Sequence, residues 1–305
     1  MKVAYITDDI YLEHDTGLGH PESKQRLIAI NKAVEPLQHK LVKESPVFGV
    51  SKEILQFVHS AEHVQTVLNA SKYATSIDSD TICSADSYEA AVKAVGAGIV
   101  ALDGVKTGEF ERAFCAVRPP GHHATPDKAM GFCLFNNIAI AAKYAQNIGY
   151  KKVMIIDFDV HHGNGTQDTF YSDDSVFYFS SHQAFAYPGT GMEKERGVGK
   201  GEGYTANFLM MPDGGDREVL DIYENDLPPF VKSFDPDIIL VSAGYDLHES
   251  DPLAQLNVTT EGIRQIVRYI LESAKVPYVL FLEGGYDVDA LGENVKATLE
   301  EMLRE

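Results

Sequence analysis

The stretch from Lys151 to Gln167, KKVMIIDFDVHHGNGTQ, places Asp157, Asp159, His161 and His162 within six residues, directly after an apolar run from Val153 to Ile156. Such a β-branched run reads as a buried parallel strand. In open α/β sheets, ligands sit just beyond the carboxyl ends of strands. Asp159 and His161 stand two residues apart, so on an extended backbone their side chains leave on the same side. A carboxylate and an imidazole held together in this way begin a zinc site. One aspartate would read as a cap of the strand or of the next helix, but two aspartates with two histidines outweigh that reading. Asp246 follows the apolar strand Ile238 to Val241 and would complete a set of one imidazole and two carboxylates. Three protein ligands leave the fourth position to water, which is the catalytic arrangement. Zinc there lowers the pKa of the water toward about 7 and polarises a carbonyl.

Two further groups suit the same chemistry. His122-His123 lies in the Gly- and Pro-rich RPPGHHA. Adjacent imidazoles serve proton transfer and charge stabilisation near neutral pH, though such a pair could also support a site from behind or bind metal. Tyr286 follows Glu283-Gly284-Gly285, and its phenol could donate to a developing oxyanion. Alone, that tyrosine would read as core or surface.

The elements that must position these groups alternate along the chain. Strands are expected at Val3 to Ile6, Ala113 to Val117, Val153 to Ile156, Val176 to Ser180, Asp237 to Ser242 and Tyr278 to Leu282. Pro21 suits the first position of a helix, and Leu27, Ile30, Val34 and Leu37 give that helix an apolar stripe. Ser51 and Ser60 could cap short helices. A polar loop over 71–86 carries Asp78 and Asp80, and helices follow over 87–105 and from Phe135 to Asn147, with Gly149 as C-cap. After a Gly-rich loop to Gly203, helices are read over Val219 to Val231, broken at Pro228-Pro229, then Thr259 to Ala274 and 288–304. Alternating strands and helices imply a mainly parallel sheet covered on both faces. With no linker, repeat or low-complexity tract, the chain reads as one domain over 1–305.

A chain of 305 residues easily buries a sizeable core. Its net charge of −19 disfavours nucleic acid as a direct partner and is compatible with a cationic substrate. Cys83, Cys115 and Cys133 form no CxxC, so neither a disulfide framework nor a cysteine zinc site is indicated. The N-terminus lacks the apolar core of a signal peptide, and no run approaches a membrane span. These features read as a reduced, cytoplasmic protein with no membrane partner.

The motifs RPPGHHA (118–124), GFCLFNN (131–137), DFDVHHGNGTQ (157–167), PGTG (188–191), SAGYD (242–246), DPL (251–253) and EGGY (283–286) resemble, in order, those of the zinc-dependent histone deacetylase family. That family includes acetylpolyamine amidohydrolases and acetoin-utilisation proteins. Asn164 and the SIDSDTI stretch (76–82) resemble its class II. The resemblance implies the arginase–deacetylase fold, a single α/β domain with a mainly parallel sheet of about eight strands. It implies zinc on Asp159, His161 and Asp246. His123 would be general base and acid, His122 its electrostatic partner held by Asp157, Asn164 the group orienting His123, and Tyr286 the donor to the acyl carbonyl. Phe132 and Tyr187 would wall a channel for an aliphatic amine stem, and the Gly131 carbonyl would accept from the substrate amide. Asp80, or alternatively Asp78, would anchor substrate backbone at the rim. Potassium would bind at the main-chain oxygens of Asp157, Asp159, His161 and Ser181 with the side chains of Asp159 and Ser180, and a second ion at the carbonyls of Phe170, Asp173, Val176 and Tyr204.

Three other functions are open to such a chain. A binuclear ureohydrolase would need carboxylates where Gly163 and His248 stand. A non-catalytic acyl-lysine binder would not need the full set with Tyr286 that this chain keeps. An acetylpolyamine amidohydrolase must hold a second amine. Relatives of that kind place a Glu in the DPL-type turn or narrow the channel with an inserted loop, whereas this turn carries the apolar Leu253. An open mouth with Asp80 suits acyl-lysine in a protein or peptide; the acidic loop from Asp8 to Asp15 and the net charge suit a polyamine.

Overall fold

The architecture is that of a computed structural model, which describes residues 1–47 and 49–304. The domain drawn over 1–305 therefore ends on Glu305, outside the described residues. The strands are β1 (Val3–Ile6), β2 (Leu41–Glu44), β3 (Arg112–Cys115), β4 (Val153–Asp157), β5 (Val176–Gln183), β6 (Thr205–Met210), β7 (Ile238–Ala243) and β8 (Tyr278–Leu282). They form one sheet in the order β2-β1-β3-β8-β7-β4-β5-β6, with every pairing parallel. The five residues of β4 are buried without exception, as are those of β7 and β8, which explains runs with no polar alternation.

The helices are α1 (Gln25–Val34), α2 (Lys52–Leu55), α3 (Ala61–Tyr73), α4 (Ser87–Thr107), α5 (Asn137–Asn147), α6 (Asn164–Phe170), α7 (Asp216–Asp221), α8 (Leu227–Phe234), α9 (Thr260–Glu272) and α10 (Val288–Met302). Helices α1, α9 and α10 pack together, while α4 and α5 form a second group, with α4 against β3 and β8. The eight-stranded parallel sheet flanked by helices is the expected fold.

Three readings need correction. Pro21 does not open α1, which starts at Gln25 after an irregular turn; that turn sends Glu22 into the interior. The proline pair does not break its helix: a π turn over Ile222–Asp226 joins α7 to α8, and the Leu227 amide bonds back to the Ile222 carbonyl. The 71–86 loop is shorter than read, because α3 continues to Tyr73. Two strands carry no clear sequence signal. Both β2 and β6 lie at sheet edges, where only one neighbour pairs with them and the apolar run is not continuous.

Candidate active site

The four exits that carry chemistry belong to β3, β8, β7 and β4, which are consecutive in the sheet. Asp159 and His161 leave β4, and Asp246 leaves β7 beside it. One ligand atom from each lies within 4.8 Å of the others, with Asp159 and Asp246 fully buried. His161 Nδ1 is 3.0 Å from Asp246 Oδ2 and 3.3 Å from Asp159 Oδ1. Backbone amides fix the carboxylates: Asp159 accepts from His161 N at 2.9 Å and from Gly284 N at 2.7 Å, and Asp246 from Val160 N at 2.9 Å. The glycines of SAGYD and EGGY make room for this. A Cβ on Gly244 would lie 2.1 Å from an Asp159 oxygen, and one on Gly284 would lie 2.1 Å from an Asp246 oxygen. Burial alone would lower the His161 pKa, but hydrogen bonds and charge from both aspartates hold it up at about 10. An imidazole and two carboxylates converging in a dry pocket are a donor set that fits zinc. Among the described residues no other cluster of three such groups is found.

The two histidines at the end of β3 are driven to opposite charge states. His122 Nδ1 lies 3.1 Å from Asp157 Oδ2, and that oxygen also accepts from the Tyr178 hydroxyl at 3.0 Å. Burial opposes the His122 charge, but Asp159, Asp157 and Glu283 outweigh it and raise its pKa well above the usual value. For His123 burial lowers the pKa, and the positive charges of His122 and His161 lower it further. Its Nδ1 is 2.9 Å from Asn164 Oδ1, so Nδ1 carries the proton and donates, leaving Nε2 as the free base. An asparagine adds no charge that would draw a proton onto the ring.

Asp80, His123, Gly131, Phe132, His161, Tyr187, Leu253 and Tyr286 line one cavity of about 230 Å³. All five residues read as substrate-contacting are therefore on its wall. Phe132 meets Tyr286 edge to face at 5.8 Å, and Tyr187 meets His123 at 5.0 Å. The Gly131 carbonyl accepts from the Cys133 thiol at 3.3 Å, which leaves one lone pair for a substrate. Asp78 is not on the wall: its carboxylate takes the Asp80 and Thr81 amides at 3.1 and 2.7 Å. His248 is likewise committed elsewhere, to Ser250 N at 3.2 Å and Thr260 Oγ1 at 3.3 Å, and Gly163 brings no carboxylate. His162 faces away from the triad. It bonds Thr190 Oγ1 at 2.8 Å and Gln167 Oε1 at 3.0 Å, stapling the loop that carries Tyr187.

Residues 20–302 match a family model described as histone deacetylase domain. The chain belongs to the histone deacetylase family. It is 37% identical to a probable deacetylase of Archaeoglobus fulgidus, over 95% of this chain and 82% of that one. It is 39% identical to the chloroplastic histone deacetylase 10 of Oryza sativa subsp. japonica, over 94% of this chain and 70% of the other. The crystal structure of the HDA15 HD domain superposes with a TM-score of 0.94 at 35% identity, covering 99% of this chain and 88% of that one. The chain is thus a hydrolase of the deacetylase kind, and no described helix is long and apolar enough to cross a membrane.

Sequence reasoning missed what holds the deacetylase site from beneath. Glu22 accepts from Arg26 at 3.1 Å and from Arg118 at 2.6 and 2.9 Å, all three side chains being fully buried. Arg26 also donates to the Gly285 carbonyl at 2.7 Å and to that of Glu283, and its guanidinium stands 5.1 Å from the Tyr286 ring centre. Glu283 takes the Gly121 and His122 amides at 2.7 and 3.1 Å. Glu22 and Arg26 lie in the stretch HPESKQR (20–26) and Arg118 opens RPPGHHA, but pairing across 96 positions leaves no local signal.

Burial would raise the Glu22 pKa, yet Arg118 and Arg26 hold it at about 2, below the usual 4.5. A depressed carboxylate contributes stability above its unfolded pKa and loses it as pH falls through the folded one. This group of three charges should therefore contribute on the order of 3 kcal/mol at neutral pH, lost between about pH 4.5 and 2. Glu22→Gln is expected to destabilise the fold by about 3–5 kcal/mol at pH 7, since it strands two buried guanidiniums. Urea unfolding at pH 7 and pH 3 checks this; equal loss at both would contradict the linkage.

The positions expected for potassium are oxygen-rich. His182 donates from Nε2 to the Gly191 carbonyl at 2.9 Å, so its Nδ1 accepts from Ser180 Oγ at 2.9 Å and the serine lone pairs stay available to a cation. The Ser181 hydroxyl pairs with that of Tyr223 at 2.7 Å. At the second position the Phe170 carbonyl accepts from Asp173 N at 3.0 Å and that of Tyr204 from Tyr178 N at 2.9 Å, each with a lone pair to spare. Val176 begins β5 between them.

Proposed function

We propose that this deacetylase removes acetyl or other acyl groups from the ε-amine of lysine in proteins or peptides, within one catalytic domain. The observation that carries this reading is the cavity wall: Phe132, Tyr187 and Leu253 offer apolar surface to an aliphatic stem, and Asp80 is the one carboxylate among the lining residues. A polyamine would bring a second buried ammonium, which is costly without a partner. In the acidic loop two of the carboxylates already have partners. Asp8 is paired with Lys93 at 3.0 Å and Asp15 accepts the Gly17 amide at 2.9 Å. The competing reading is an acetylpolyamine amidohydrolase. Comparing kcat/KM for an acetyl-lysine peptide with N-acetylspermidine and N-acetylputrescine separates the two. We expect the peptide to be preferred; a tenfold preference for either polyamine, about 1.4 kcal/mol of transition-state binding, would overturn the assignment.

Asp159, His161 and Asp246 would hold zinc, and potassium would sit at the oxygen sites beside β5. When bound, zinc supplies a Lewis acid that polarises the acyl carbonyl and acidifies water. The chain's own groups do the rest. His123 Nε2 takes a proton from the attacking water and returns it to the leaving amine. His122, as an imidazolium, keeps its neighbour neutral and offsets the negative charge that develops. Asp80 anchors substrate backbone, and the Gly131 carbonyl accepts from the scissile amide.

Tyr286 donates to the carbonyl oxygen as it becomes an oxyanion. Tyr286→Phe is expected to lower kcat by about 10²–10³ while leaving the melting temperature unchanged, the range for loss of one such donor. Steady-state kinetics with a fluorogenic acetyl-lysine substrate tests this. An unaltered kcat would assign the phenol a packing role, and turnover that survives a zinc chelator would remove the metal from the mechanism.

A further inference from the structure

The turn Asp251-Pro252-Leu253 supplies more than a wall to the channel. Asp251 is buried and divides its two carboxylate oxygens between two chain segments. Oδ2 accepts the Tyr286 amide at 2.7 Å, and Oδ1 accepts the Leu253 amide at 2.9 Å. Its own amide bonds the His248 carbonyl at 2.9 Å, which anchors the aspartate to the segment leaving β7. Leu253 and Tyr286 both line the cavity, and Leu253 is the more exposed of the two.

The Tyr286 ring is held by Arg26 and Phe132, whereas its backbone is fixed through the loop that carries it. Its preceding residues are held by backbone contacts: Gly284 N on Asp159, Gly284 O from Tyr245 N at 3.0 Å, and Gly285 O from Arg26. Gly285 has φ of +116°, a conformation that gives no steric direction to the next residue. The Asp251 bond is the contact that reaches the Tyr286 backbone itself.

We propose that Asp251 is a positioning residue for Tyr286: its carboxylate sets where the phenol stands and, with its second oxygen, ties that placement to the Leu253 turn at the channel mouth. The proposal rests on the oxyanion role given to Tyr286 above. Charge-assisted bonds to a backbone amide are short and directional, and asparagine cannot replace them. Its amide has one oxygen for two N–H groups and turns an NH2 toward the other. A displacement of the phenol by about 1 Å is enough to cost up to a hundredfold in rate.

A double-mutant cycle tests this with the metal-loaded enzyme. Asp251→Asn is expected to lower kcat by about ten- to a hundredfold in the parent, and by less than about threefold once Tyr286→Phe has removed the hydroxyl. Zinc content should be unchanged in both. Asp251→Glu, which keeps the charge but misplaces it by one methylene, should show the same non-additivity and serves if the asparagine variant does not fold. Equal losses in the two backgrounds, or no loss in the parent, would overturn the proposal. If Tyr286→Phe alone is as active as the parent, it is the oxyanion reading that fails.

Discussion

His161→Ala and Asp246→Ala are each expected to lose bound zinc and to bring turnover to background. Asp159 and His161 follow β4 and Asp246 follows β7, and among the described residues these three form the one cluster that could hold a metal, so each removal leaves only two of its ligands. The two variants should differ in stability once metal is stripped from all forms. Asp246→Ala leaves Asp159 and His161 paired at 3.3 Å. His161→Ala leaves two fully buried carboxylates that have lost the imidazole joining them, with His122, 3.8 Å from Asp159, as the remaining positive neighbour. Breaking a buried pair in this way costs about 3–5 kcal/mol, so the histidine variant should melt lower than the aspartate variant. Metal analysis and thermal denaturation in chelator give both results. Full zinc with normal turnover in either variant would dismantle the metal assignment; equal melting temperatures would mean that the pocket relaxes or protonates a carboxylate instead.

His123→Ala should cost about 10²–10⁴ in kcat, the range for a residue serving as both base and acid, and His122→Ala should cost less. The neighbouring pair makes a sharper statement through pH. His123 is held neutral first by burial and then by the charges of His122 and His161. Removing His122 takes away one of those charges, so a proton binds His123 more readily. The acid limb of the kcat/KM profile should therefore move to higher pH in His122→Ala. Asn164→Asp should move it the same way, because a carboxylate on Nδ1 favours the imidazolium. A limb that stays in place in both variants would show that His123 is not the group whose deprotonation sets activity. Larger losses in His122→Ala than in His123→Ala would reverse the two roles.

Much of this site was legible in the sequence because its chemistry is local. Asp157, Asp159, His161 and Asn164 lie within one strand exit and the first turn of α6; β4 ends at Asp157, and the extended spacing expected for Asp159 and His161 is replaced by a bend in which the Asp159 carboxylate takes the His161 amide and keeps the two side by side. The apolar runs of β4, β7 and β8 are equally plain, since strands buried on both faces have no polar alternation. The family motifs then carried roles to His122, His123 and Tyr286 that spacing by itself left open.

Tertiary structure decided the rest. That β3 and β4 have β8 and β7 inserted between them is a matter of sheet order, and it alone brings residues 118–124, 157–164, 242–246 and 283–286 to one edge. Chain order would place β7 and β8 after β6, since no local propensity encodes which edge or gap a strand enters. The choice of Asp80 over Asp78 on the channel wall depended on which carboxylate the turn's own amides consumed. Glu22, Arg26 and Arg118 look like ordinary surface charges in the sequence. They become an interior network only because burial forces each to find its partners far along the chain. Asp251 is the same case at smaller scale: its partner Tyr286 lies 35 residues away, and two strands of the sheet had to become neighbours before one carboxylate could hold two residues of the channel wall.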